Sequence, residues 1–149
     1  MLKVTELDRA AQLALSLNKI MPAEDVPLGA ALGRVLSEDI LSSEDVPSFD
    51  RSTVDGYALR AAETFGCSES LPALFTLAFK VEMGARAGEI APGETAYVPT
   101  GGELPRGADA VVMQEHTELF LSDVQVFSPV APGQNVIVRG DDARAGSRV

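Results

Sequence analysis

The sequence predicts a β-rich α+β fold, and three observations carry that prediction. Helical periodicity is confined to the stretch before Pro22. After Ser42, glycine and proline recur at short intervals. Between them lie short runs rich in Val, Phe, Tyr and Thr, the texture of short strands joined by tight turns.

Thr5-Glu6-Leu7-Asp8 reads as a helix start, with Thr5 as N-cap and an acid three positions on. Leu7, Ala10, Ala11, Ala14 and Leu17 follow at helical spacing, and Asn18 and Pro22 mark the end. Glu24, Asp25 and Pro27 lead into a second short helix over 28–33, with an extended run over 35–41. Runs at 73–81, 95–98, 108–114, 124–127 and 135–139 predict strands, while 61–65 fits helix or strand. The organisation that follows is a β-rich module over 46–138. A smaller helical and extended unit is made from 1–45 together with 139–149. The final stretch, Gly140 to Val149, reads as a chain cut inside an element.

Composition bounds the function. The chain has 149 residues, 46% apolar and 23% charged, with a net charge of −10. Those values fit a soluble globular protein and exclude wholesale disorder, a collagen repeat and a disulfide scaffold. A chain this long buries roughly 70% of its unfolded surface, so a real core is expected. No apolar run approaches the ~18–20 residues of a membrane span. The N-terminus carries Lys3, Glu6 and Asp8 and lacks the apolar stretch of a signal peptide. With a lone cysteine, Cys67, this points to a cytoplasmic protein. Cys67 and the lone His116 leave no material for a zinc site or a Ser-His-Asp triad. A pI near 4.4 argues against nucleic acid or anionic lipid as partner. It leaves room for a small anion held by a local cluster of donors.

Three clusters carry candidate chemistry. Val46 to Arg60 packs Asp50, Arg51, Ser52, Thr53, Asp55 and Arg60 around the turn pair Asp55-Gly56. Thr100-Gly101-Gly102 is a loop whose backbone N–H groups suit an anion nest, although it lacks the lysine and spacing of a P-loop. Arg139-Gly140-Asp141-Asp142 sets paired acids behind a glycine, a donor set for Mg²⁺. Taken alone, each reads more simply as a turn with solvated charges. Glu115, in Met113-Gln114-Glu115-His116, is a weaker candidate at a strand end.

Together these segments resemble a known family. Pro47-Ser48-Phe49-Asp50-Arg51-Ser52-Thr53-Val54-Asp55-Gly56-Tyr57-Ala58 is similar to the P-x-F-D-x-S-x-x-D-G-Y-A signature of molybdopterin molybdenumtransferases, the MoeA family that includes the gephyrin E domain. Thr100-Gly101-Gly102 with Leu104-Pro105 and Gly107 to Val112 resembles a second segment. Arg139-Gly140-Asp141-Asp142 with Ala145-Gly146, and Leu32-Gly33-Arg34-Val35-Leu36, resemble two more. Four segments in order cover nearly the whole chain. They match the region before the family's nucleotide-handling third domain, so the chain is expected to be an N-terminal region that lacks most of the active site.

The resemblance implies irregular, coiled and bifurcated β-sheets with a few helices. It implies insertion of molybdate into adenylylated molybdopterin, with Mg²⁺ and release of AMP. It further implies a homodimer whose active cleft joins one subunit's β-rich domain to the third domain of the other, and a supplying enzyme that makes the adenylylated intermediate. By motif, Asp55, Thr100 and Asp142 carry over as catalytic residues, with Asp55 and Asp142 as Mg²⁺ ligands. Ser52, Gly101, Gly102, Arg51 and Arg139 are the expected cofactor-binding set. The sequence departs at Val54, where several members have Met, and at Gly102-Glu103, where they have Ala-Pro. The competing reading is a non-catalytic scaffold or assembly module of the same family.

Overall fold

The computed structural model describes residues 4–17, 19 and 21–149, which divide into two compact units, one ending at Asp39 and one running from Ile40 to Val149. In the first unit, helix α1 spans Leu7–Ser16. Its N-cap is Glu6, not Thr5, and no side chain caps it; the Glu6 carbonyl accepts the first helical bond, from the Ala10 N–H at 2.9 Å. The capping box is therefore not formed. The predicted stop at Asn18 lies outside the described residues. A single 3₁₀ turn, Leu28–Ala30, stands where a short helix was expected over 28–33, and Gly33 turns the chain with φ +80°. No described residue of this unit is buried. The run over 35–41 forms no strand; only Leu41, in the second unit, pairs, with Arg148.

The second unit is built on strands. They are β1 (Arg51–Ser52), β2 (Gly56–Leu59), β3 (Ala73–Lys80), β4 (Glu94–Val98), β5 (Ala110–Met113), β6 (Thr117–Phe120), β7 (Asp123–Val126) and β8 (Val136–Ile137). Six form a curled mixed sheet in the order β5-β2-β4-β3-β7-β6, and β1 pairs with β8 in a separate two-stranded ladder. All neighbours are antiparallel except β3 and β4, whose register shifts between Leu77 and Phe79. The five predicted strand runs are therefore strands, and 61–65 resolves as a 3₁₀ turn over Ala61–Thr64. Sequence reading missed β1, β2 and β6.

β2 organises the core. All four of its residues are buried, because both faces of the sheet are covered there. Tyr57 and Leu59 join Phe75, Val112, Val124 and Val126 on one face; Ala58 joins Val81, Val98 and Val111 on the other. Gly56 starts the strand against β5 so closely that a Cβ there would lie 2.0 Å from the Val112 carbonyl oxygen. The Thr95 hydroxyl, fully buried, donates to the Ala58 carbonyl at 2.7 Å and locks β4 to β2.

Candidate functional site

The register of β2 and β4 brings the first two motifs together. Gly56 faces Val98, so Asp55, just before β2, lies beside Thr100, just past β4. Asp55 Oδ1 accepts both the Thr100 N–H, at 2.7 Å, and the Thr100 hydroxyl, at 2.9 Å. These two bonds, the backbone one foremost, hold the Asp55 carboxyl below the ordinary carboxylate range against a smaller opposing effect of burial. An ionised Asp55 only accepts, so the single Thr100 proton points to it. Toward any ligand the Thr100 oxygen is then an acceptor.

The anion nest is also absent. The Thr100 N–H goes to Asp55, the Gly101 N–H to the Ser52 carbonyl at 2.8 Å, and the Gly102 N–H to the Pro99 carbonyl at 2.8 Å. Every amide of the loop is satisfied within the fold. In return the Ser52 N–H donates to the Gly102 carbonyl at 3.0 Å, and the Leu104 N–H to the Asp50 carbonyl at 2.8 Å. The loop thus runs as a strap alongside residues 50–52. Ser52 is buried, and its hydroxyl donates to the Val54 carbonyl at 2.6 Å, which makes it a turn-forming residue with no proton left for a ligand. Arg51 is half-buried on β1 and makes no side-chain bond among the described residues.

The third motif is fastened by an acid that sequence reading missed. Asp45 Oδ2 accepts Arg139 Nε at 2.6 Å, and Asp45 Oδ1 accepts the Ala145 N–H at 2.9 Å. Those two bonds, the Ala145 one first, lower the Asp45 pKa. The Arg139 N–H donates to Asp50 Oδ1 at 2.7 Å, and the Asp142 N–H to the Val46 carbonyl at 2.9 Å. Asp142 is exposed, and its carboxylate makes no bond among the described residues. Asp45 carried no sequence signal, because its partner Arg139 is 94 positions away.

A cleft of about 600 Å³ opens beside these segments, lined by Arg86, Arg106, Arg139, Asp50, Glu103 and Phe49 among others. Of the expected site residues it takes in only Gly101 and Arg139; Asp55, Thr100, Ser52, Gly102, Arg51 and Asp142 lie outside its walls. Arg86 and Arg106 were missed; the one available signal was an arginine flanked by glycines, Gly84-Ala85-Arg86-Ala87-Gly88. Among the described residues, no three His, Cys, Asp or Glu side chains cluster to hold a metal. Asp55 Oδ2 and the Asp142 carboxylate make no bond among the described residues and are hard oxygen atoms of the kind Mg²⁺ takes, but they sit on separate segments, Asp55 tied to Thr100 and Asp142 to Val46. No helix among the described residues is long and apolar enough to cross a membrane.

The family profile described as MoeA N-terminal region (domain I and II) matches residues 5–149. The chain belongs to the MoeA family. The fold agrees: a MoeA molybdopterin biosynthesis protein from Pyrococcus horikoshii superposes over 99% of this chain and 39% of its own, with a TM-score of 0.85 and 42% identity. The molybdopterin molybdenumtransferase of Bacillus subtilis is 36% identical over 146 residues, 95% of this chain. That of Staphylococcus aureus strain N315 is 30% identical over 141 residues, 94% of this chain. The chain spans 34% of the length of each of these two MoeA relatives.

Proposed function

We propose that the chain is the N-terminal part of an enzyme that inserts molybdate into adenylylated molybdopterin and releases AMP. The observation that carries this reading is the match to the MoeA N-terminal region over 5–149, together with the name molybdopterin molybdenumtransferase borne by relatives that the chain matches over nine-tenths of its length. The region contributes positioned groups and the rest of a longer chain contributes the remainder, so the 149 residues alone are inactive. The working unit is a cytoplasmic homodimer that joins through 1–45 with 139–149 and receives its substrate from the adenylylating enzyme.

The chain's own residues divide the work. The substrates are polyanions, and Arg139 and Arg51 neutralise them in part, since a guanidinium binds two oxygens in a fork. Thr100, its proton held by Asp55, accepts from a water or from an N–H on the pterin edge. Asp55 thereby fixes Thr100 and keeps Oδ2 for a ligand. Mg²⁺, when bound, neutralises phosphate charge and polarises the bond that releases AMP. Asp142 and Asp55 Oδ2 would hold it alongside waters and substrate oxygens.

The test is molybdate-dependent AMP release from adenylylated molybdopterin, with the 149-residue chain and the full-length gene product side by side. Activity in the full-length product only is expected. Activity in the short chain would overturn the division of the site. Activity in neither, with the long form folded, would leave the scaffold reading.

A further inference from the structure

We infer that the cleft of about 600 Å³ binds a tetrahedral oxyanion on the guanidinium groups of Arg86, Arg106 and Arg139. The whole chain holds 12 basic residues against 22 acids, yet the walls of this one cleft carry three arginines and two carboxylates, Asp50 and Glu103, with Asp45 and Glu89 meeting Arg139 and Arg106 from outside the walls. Both carboxylates are turned to backbone N–H groups: Glu103 Oε2 accepts from Ala87 at 2.9 Å, and Asp50 Oδ1 from Arg139 at 2.7 Å. The arginines are open to a ligand. Arg86 is exposed and makes no ion pair or hydrogen bond among the described residues. Arg106 has only a 3.5 Å pair with Glu89, with 84% and 68% of the two side chains in solvent, and such a pair is worth little. Arg139 is steadied at Nε by Asp45, which leaves its two terminal nitrogens unbonded among the described residues.

Forked N–H donors match the spacing of oxygens on a tetrahedral anion. Phosphate and molybdate share that chemistry. The cleft exceeds the size of a bare oxyanion, and Phe49 and Leu104 give it an apolar wall, so an oxyanion carried on an organic body fits. This inference deepens the proposed function by naming a subsite for its anionic substrate; it rests on that reading only for the natural source of the anion.

The test is calorimetric titration of the 149-residue chain at low ionic strength with sodium molybdate and, separately, inorganic phosphate. The comparison is with Arg86→Gln and Arg106→Gln, and with Arg9→Gln on α1 as a control. Each cleft substitution is expected to weaken binding about tenfold, the loss of one charged hydrogen-bonding group, while Arg9→Gln leaves it unchanged. Tighter molybdate than phosphate assigns the metal oxyanion as the ligand; equal or reversed affinities assign the phosphate. Wild-type affinity in both cleft variants, or no binding of either anion by the wild-type chain, overturns the inference. Transferase activity is read separately in the full-length product, so activity there without arginine-dependent anion binding would sink only this subsite, and anion binding without activity there only the proposed reaction.

Discussion

Asp55 and Thr100, 45 positions apart, are joined by two hydrogen bonds to a single carboxylate oxygen. This clamp links the loop before β2 to the loop after β4 and fixes which way the Thr100 proton points. Removing the hydroxyl should therefore be felt at the acid. In Thr100→Val the Asp55 carboxyl loses one of the two bonds that lower its pKa, and the pKa rises toward the ordinary value of about 3.9. Carboxyl carbon shifts followed by NMR titration would reveal it; an unmoved Asp55 would mean the hydroxyl bond contributes nothing.

Asp45 makes stability depend on pH. Its folded pKa lies below its unfolded value, so the unfolded chain binds more protons through that window and stability rises with pH. The contribution is complete above the ordinary Asp pKa and is lost as pH falls through the lowered one. Urea unfolding of wild type and Asp45→Asn should differ at pH 6 and converge below about pH 4. A constant gap across that range would contradict the assignment.

Gly56 has no room for a side chain. A Cβ would meet the Val112 carbonyl oxygen at 2.0 Å, a backbone atom that moves only with β5. Gly56→Ala should cost about 2–4 kcal/mol and lower the unfolding midpoint. Gly93, where nothing lies within 4 Å of the same atom, separates space from conformation: with φ +77°, its Ala variant suffers backbone strain alone.

In the full-length product, Asp142→Asn should lower turnover with little change in melting temperature. The side chain is exposed and makes no bond among the described residues, while its backbone N–H still holds the Val46 carbonyl. Wild-type turnover in that variant would remove Asp142 from the chemistry.

The first unit buries no described residue within this chain, so it contributes little core. A chain starting at Ile40 is expected to keep the cooperative unfolding of the β-rich unit, with a melting temperature within a few degrees of the parent under monomeric conditions. Loss of cooperative unfolding would show that the sheet depends on residues before Ile40.

Much of the fold was legible, and the limits have physical causes. β3 showed itself through an eight-residue run rich in Leu, Phe, Thr and Ala, and β4, β5 and β7 through compact apolar runs between turn residues. β2 did not, because it opens on a glycine and is buried on both faces, so no alternation marks it. The Thr5 cap failed because a motif of the right letters needs a helix that starts at the right residue. At the site, the motifs named Asp55, Thr100 and Arg139, and the structure places all three in side-chain hydrogen bonds. Their local roles were invisible, since a free amide and a bonded one have the same sequence. Asp45 belongs to no local pattern, and Arg86, bracketed by glycines, and Arg106, inside the second motif segment, gain their cleft neighbours only through long-range folding.

Residues 40–46 lie alongside residues 143–149. The Val149 N–H bonds the Ile40 carbonyl at 3.0 Å, Leu41 bridges Arg148, and Val46 bridges Ala143. These pairings join two segments about a hundred positions apart, and the sheet, the Asp55 clamp and the arginine cleft are all built by the chain between them. Pairing residues so far apart in sequence closes one long loop, so the ordering cost of that closure is met once for everything between them.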